Sequence, residues 1–216
     1  MNPRLIVFDF DGTIANTPQT IVAIVNRLAA EFGYKSLNEA EILALRGLSS
    51  REIVRQSQVS WLQLPFLLRR IKKELNQEID KVQPIVGIED ALKVLKSEGY
   101  RLGILTSNLQ ENVTVFLETN NLQDVFEFIY PDASLFGKHR QIRRLLRLNA
   151  LTPSELVYVG DESRDIEAAR KSGVWAIAVG WGFNAPELLV QHHPDRLVTT
   201  PQALVSAIAQ LTDAHN

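Results

Sequence analysis

The chain has 216 residues, enough to bury one substantial core or a core with a small accessory domain. It has no cysteine, which excludes a disulfide scaffold, a thiolate nucleophile and thiolate metal ligation. Its 23 Lys and Arg against 25 Asp and Glu leave a formal charge of -2, which provides little overall field to recruit a nucleic acid polymer or an anionic membrane.

Leu5 to Phe8 is a short apolar run, the pattern of a strand covered on both faces, and Asp9 marks its carboxyl end. Asp9 and Asp11 arrive before a signal-peptide core reaches useful length, and no run of about 18 apolar residues follows anywhere in the chain. A cytoplasmic protein without a membrane partner is the expectation. Pro18 to Phe32 carries Ile21, Ile24, Val25, Leu28 and Phe32 at helical spacing and ends at Gly33. Ser36 to Leu45 and Ser50 to Val59 read as shorter helices around Gly47. Leu64, Leu67, Leu68, Ile71, Leu75 and Ile79 mark one long helix. Trp61 and Phe66 beside it are expected to be buried, although either is open to lining a cleft.

Near Gln83-Pro84 the pattern changes to strands alternating with helices. Gly87 to Ser97, Gln110 to Thr119, Lys138 to Leu148 and Asp165 to Ser172 read as helices. Leu102 to Leu105, Phe126 to Tyr130, Leu156 to Val159 and Trp175 to Val179 read as strands. Helix-length crossovers favour a parallel sheet, so the fold class is α/β, a Rossmann-like mostly parallel sheet with an inserted α-helical cap. The expected division is a catalytic core over 1–14 and 85–216 and a cap over 15–84.

Ligands of such sheets sit beyond the carboxyl ends of the strands. Four predicted strand ends carry polar groups: Asp9 and Asp11; Thr106 and Ser107; Lys138 after its loop; and Asp161 with Asp165. Gly12 permits a sharp departure and a close approach of backbone N–H groups to phosphate. Clustered carboxylates with water suit octahedral Mg2+, a hard cation that prefers oxygen ligands.

Asp9-Phe10-Asp11-Gly12-Thr13, Thr106 after Leu102-Gly103-Ile104-Leu105, Lys138 in Phe136-Gly137-Lys138, and Gly160-Asp161-Glu162-Ser163-Arg164-Asp165 occur in this order. In those motifs the sequence resembles the haloacid dehalogenase-like superfamily, in its phosphoglycolate-phosphatase-like branch with a helical cap. The resemblance implies an Mg2+-dependent phosphomonoester hydrolase with Asp9 as nucleophile and Asp11 as general acid and base. It implies Mg2+ bound by Asp9, the Asp11 carbonyl and Asp161, with Asp165 in support and Glu162 a further neighbour. Lys138 would offset the negative charge, while Gly12, Thr106 and the N–H groups of Ser107 and Asn108 would hold phosphate. The expected partner is a small phosphorylated metabolite such as phosphoglycolate, and the expected state a monomer or weak homodimer. A sugar phosphomutase or a noncatalytic binding protein on the same fold stays open as an alternative, with dehalogenase chemistry the weakest reading.

In the cap, Arg46-Gly47-Leu48-Ser49-Ser50-Arg51 offers Arg46 and Arg51 either as contacts to a substrate anion or as exposed salt bridges. Lys138 is followed by His139-Arg140 where relatives often carry Pro; His139 is expected to be solvated. His192, His193 and Asp195 read as a solvated turn, and Trp181-Gly182-Phe183-Asn184 as a loop shaping the pocket rim, its aromatics mainly structural.

Overall fold

The computed structural model describes residues 3–57, 59–60, 62–131 and 137–213. Six strands form one parallel sheet: β1 (Leu5–Phe8), β2 (Arg101–Thr106), β3 (Phe128–Pro131), β4 (Leu156–Gly160), β5 (Trp175–Val179) and β6 (Arg196–Val198), in the order β3-β2-β1-β4-β5-β6. The chain runs outward from β1 to β3, then crosses to the far side of β1 to begin β4. This reversal places the carboxyl ends of β1 and β4 side by side, the position at which parallel sheets open a ligand crevice.

Alternation along the strands feeds two apolar layers. Ile6 and Phe8 face one side with Val157, Val159, Ile177 and Val179, while Leu5 and Val7 face the other with Leu156, Tyr158, Ala176 and Ala178. Both faces are covered, so the strands read as continuous apolar runs rather than as alternating ones. The first layer packs under α5 (Ile88–Ser97), α6 (Gln110–Thr119) and α10 (Pro201–Asp213). The second packs under α7 (Lys138–Leu148), α8 (Ser163–Ser172) and α9 (Pro186–Gln191).

The inserted segment holds α1 (Pro18–Phe32), α2 (Glu39–Leu45), α3 (Ser50–Gln56) and α4 (Leu64–Asn76). Gly33 ends α1 with a left-handed φ of 73°, as its position after the apolar pattern implies. Asn38 and Ser49 each form reciprocal side-chain caps with the Glu three residues on, which delays α2 to Glu39 and starts α3 sharply at Ser50. The chain leaves and re-enters the core through paired segments: Ile85 N–H donates to Ile14 O at 2.9 Å and Asn16 N–H to Gln83 O at 3.0 Å.

Several sequence expectations shift. The long cap helix stops at Asn76, and Ile79 sits in a separate 3-10 turn, because the chain must turn down to bury Val82 and Ile85 in the core. Phe66 is 69% exposed rather than buried, since the stripe that packs inward runs through Leu67 and Leu75, roughly a quarter to a half turn away around the helix. Trp61 lies outside the described residues, as does Phe136. Strand β3 begins two residues later than expected, and β6, α9 and α10 complete the sheet edge beyond the elements read from sequence. The turn before β6 is not idle: Asp195 accepts the Ala176 N–H at 2.8 Å and donates its own to Ala176 O at 2.9 Å, fastening β6 to β5.

Candidate active site

Asp9 stands one residue past β1 and is 2% exposed. Its Oδ1 accepts the Phe10 N–H at 2.8 Å, and its Oδ2 lies 2.7 Å from Lys138 Nζ. Lys138 opens α7, reaches 2.6 Å from Asp165 Oδ1 with the same ammonium, and rests over the Tyr158 ring at 5.5 Å. Burial disfavours its charge, but Asp165 and Asp9 more than compensate and hold it protonated well above the ordinary lysine range. Tyr158 is fixed from below, its hydroxyl donating to Leu105 O at 3.1 Å. A buried amine therefore bridges two carboxylates, one just past the end of β1 and one in the first turn of α8.

Asp9, Asp161 and Asp165 bring carboxylate oxygens within 4.8 Å of one another, all three buried. Asp161 receives the Thr13 hydroxyl at 2.8 Å and the Phe183 N–H at 2.7 Å. Burial pushes its pKa well up, and repulsion from Glu162, Asp9 and Asp165 adds to that. Asp165 is raised to about 6, by burial first, with Lys138 opposing. Its second oxygen accepts the Glu162 N–H at 3.1 Å and so caps α8, which ties the carboxylate to the start of the helix. The donor set is all oxygen, and the crowding of buried negative charge is what a divalent hard cation relieves; the residues fit Mg2+. Two glycines make the cluster possible. A Cβ at Gly12, whose φ is 75°, would come 2.3 Å from Asp161 Oδ2, and one at Gly182 would come 2.1 Å from it.

Asp11 is not a member of this carboxylate group. Asn108 Nδ2 spans both its oxygens at 3.1 and 3.0 Å. Burial, then the charge of Asp9, raises its pKa from the ordinary 3.8 to about 7, against the pull of its hydrogen bonds. The folded protein thus holds the Asp11 proton more tightly than the unfolded chain. That contribution to stability is complete below about pH 4 and is lost as pH rises through about 7. In metal-free protein at pH 8, Asp11→Asn is expected to raise Tm by about 5 °C, with a smaller gain at pH 5. Calorimetry at the two pH values checks this, and an equal or opposite change would contradict it.

Thr106 ends β2 with no exposure, and its hydroxyl accepts the Asn108 N–H at 3.0 Å, which leaves the hydroxyl proton to donate elsewhere. Asn108 was expected to offer that N–H to phosphate. The structure engages it with Thr106 instead and gives the side chain another task, orienting Asp11. Asn108 is itself held by Asn112 Nδ2 at 2.8 Å, and Asn112 accepts from Asn76 of α4 at 2.6 Å, so a polar chain runs from the cap to Asp11. Ser107 is half-buried beside Thr106.

The cap turn between α2 and α3 is docked on the core. Arg46 donates to Gly182 O at 3.2 Å and Phe183 O at 3.4 Å, so its guanidinium clasps the loop after β5 rather than reaching toward the carboxylates. Asn184 donates to Leu48 O at 3.1 Å and accepts the Ser163 N–H at 2.8 Å, and Ala185 N–H donates to Arg46 O at 2.8 Å. The loop read as a pocket rim is thus the clamp joining cap, Asp161 and α8. Ser50 donates to Glu162, whose other oxygen holds Arg164 through Nε at 2.9 Å. Arg51 is 3.8 Å from Glu167 of α8. The Asn108 and Thr13 side-chain roles were missed because each depends on a contact between distant strand ends, and the Arg164 role because its partner Glu162 lies in a motif read for its aspartates. Their one sequence signal is a polar residue within four positions of a predicted motif Asp or Thr. His192 lies 3.8 Å from Glu167, and neither it nor His193 joins a metal-capable group among the described residues.

The family model of haloacid dehalogenase-like hydrolases matches residues 6–179. The chain belongs to that family and is an enzyme of its phosphatase class. It is 40% identical over 208 residues to a phosphoglycolate phosphatase of Synechococcus elongatus, covering 96% of this chain and 98% of the relative. It is 25% identical to the pyrophosphatase PpaX of Listeria welshimeri, over 94% of this chain and 95% of that one. Among solved structures, a haloacid dehalogenase-like hydrolase family protein from Streptococcus pneumoniae has the same fold, with a TM-score of 0.80 at 23% identity, covering 94% and 97% of the two chains.

Proposed function

We propose that the chain is an Mg2+-dependent phosphomonoester hydrolase that acts through an aspartyl-phosphate on Asp9, with phosphoglycolate as its substrate. The observation that carries the reading is the pairing at one sheet edge of a carboxylate bridged to a buried lysine, Asp9, with a second carboxyl poised near neutrality, Asp11. Phosphoglycolate is chosen because of the relative that is 40% identical along nearly the whole chain.

Asp9 uses a carboxylate oxygen to form a bond to phosphorus while the ester P–O bond breaks. Lys138, at 2.7 Å, offsets the charge of the attacking group and of the entering phosphoryl oxygens. Asp11 gives its proton to the leaving alkoxide. A pKa of about 7 suits both halves of the cycle, because the same group then takes a proton from water. The resulting hydroxide attacks phosphorus, the bond to Asp9 breaks, and inorganic phosphate leaves with Asp9 restored. Thr106 and the Ser107 N–H would hold phosphoryl oxygens, with Gly12 keeping the backbone close. Asp9, Asp161 and the Asp11 carbonyl would bind Mg2+, supported by Asp165. The ion would supply charge neutralisation between the anionic carboxylate and the anionic phosphoryl group.

Among the described residues no helix is long and apolar enough to cross a membrane. The proposed enzyme is a cytoplasmic monomer or weak homodimer acting on a small metabolite. Phosphate release from a panel of phosphomonoesters in Mg2+ tests the reading, with phosphoglycolate expected to give the highest kcat/KM. Release from none of them would refute it.

A further inference from the structure

The buried face of α6 consists of Asn112, Val113, Phe116 and Leu117, three apolar side chains and one amide. Asn112 has no exposure. Burying an amide is costly unless its donors and acceptor are matched, and asparagine also disfavours a helix interior. Here they are matched: Nδ2 donates to Lys72 O of α4 at 3.3 Å and to Asn108 Oδ1 at 2.8 Å, while Oδ1 accepts from Asn76 Nδ2 at 2.6 Å. Main-chain groups fix which way the amides point. Lys72 O can only accept, so it faces the Nδ2 of Asn112; the Leu109 N–H can only donate, and at 2.7 Å it faces the Oδ1 of Asn108. With Asn112 donating to that same Oδ1, Asn108 turns its Nδ2 toward both oxygens of Asp11. Reversed end for end, the Asn108 amide would set its oxygen against the carboxylate.

We propose that Asn112 is a positioning residue for the proton transfer to the leaving group: from its grip on α4 it locks the amide of Asn108 and, through that amide, the carboxyl of Asp11. The inference rests on the phosphatase reading and extends it to a residue outside all four motifs. Lys72 and Asn76 lie one turn apart on α4, so the Asn112 amide spans a turn of the inserted helix and ties it to the loop after β2. A carboxyl that hands its proton to a leaving oxygen must hold it within hydrogen-bond reach, and a displacement of about 1 Å can cost about 100-fold. Without Asn112, Asn108 Oδ1 loses one of its two donors and the clamp on Asp11 loosens. Asp9 and Lys138 are held by other contacts, so the loss falls on the proton step. How far a leaving group depends on that proton follows its basicity: an alkoxide needs it, whereas p-nitrophenolate departs without it.

The test compares kcat/KM, which reports the steps up to departure of the leaving group, for phosphoglycolate, phenyl phosphate and p-nitrophenyl phosphate. The two aryl esters are alike around the reacting oxygen and differ in leaving-group basicity. Asn112→Leu keeps the branching of the side chain and removes its hydrogen-bonding atoms. It is expected to lower kcat/KM by about 10-fold to 100-fold for phosphoglycolate and phenyl phosphate, and by a factor at least about 5 times smaller for p-nitrophenyl phosphate. Asn112→Ala serves where Leu is not accommodated, since alanine is the strongest helix former. Asn108→Ala and the double variant Asn108→Ala, Asn112→Ala close a cycle: with Asn112 acting through Asn108, the double variant loses no more than Asn108→Ala alone. Equal losses on the three esters, undiminished kcat/KM, or losses that multiply in the double variant overturn the positioning role, while phosphate release by the unmodified enzyme preserves the phosphatase reading. Release from none of the three compounds by the unmodified enzyme would sink both.

Discussion

Asp9→Asn is expected to lower phosphate release by roughly four to six orders of magnitude while leaving the fold in place, a loss of the size seen when a covalent nucleophile is removed. The amide lacks both the charge and the lone-pair strength to attack phosphorus. Structural damage does not account for such a loss. Lys138 keeps Asp165 at 2.6 Å as its counter-ion, so the substitution does not strand a buried cation. It also removes one of the charges that repel Asp161 and Asp165. The variant should melt near the temperature of the unmodified protein. A folded Asp9→Asn protein with undiminished kcat would contradict the nucleophile assignment.

Removing the metal is expected to have an effect of comparable size. EDTA should abolish turnover, Mg2+ should restore it, and Asp161→Ala should resist restoration. A second readout is independent of activity. A ligand that binds only the folded state raises Tm by mass action, so Mg2+ at about 100 times its dissociation constant should stabilise the protein by about 2.7 kcal/mol. In Asp161→Ala that shift should shrink or vanish, although the apo variant should itself be more stable than the apo parent, because burial and three neighbouring carboxylates oppose ionisation of Asp161. Full activity after thorough chelation, or an equal Mg2+ shift in both proteins, would contradict the proposed ligand set.

Much of the scaffold was legible because its signals are local. The apolar run Leu5 to Phe8 requires cover on both faces, and the fold supplies it with two separate layers. Strand-end Asp9, Thr106 and Asp161 were readable as one edge because parallel pairing aligns the strands' carboxyl ends. Less was legible in the side-chain detail. Asn108 looked like a backbone donor, yet the position of Asp11 across the strand ends turns its amide into a carboxylate clamp. Arg46 and Arg51, five residues apart, were equivalent in sequence. The fold distinguishes them: the loop after β5 captures Arg46, while Arg51 faces Glu167 of α8. Glu162 and Arg164 sit within a motif defined by its aspartates, and their joint hold on the cap depends on Ser50, a residue 112 positions away from Glu162.

In the proposed mechanism the phosphoryl group resides on Asp9 during turnover. Borohydride reduces an acyl phosphate at an aspartate to homoserine and leaves free carboxylates alone. Enzyme quenched during phosphoglycolate turnover, reduced, digested and analysed by mass spectrometry should carry homoserine at position 9 and at no other aspartate. Turnover with Asp9 unmodified under these conditions, or homoserine at Asp161 or Asp165 instead, would contradict the assignment.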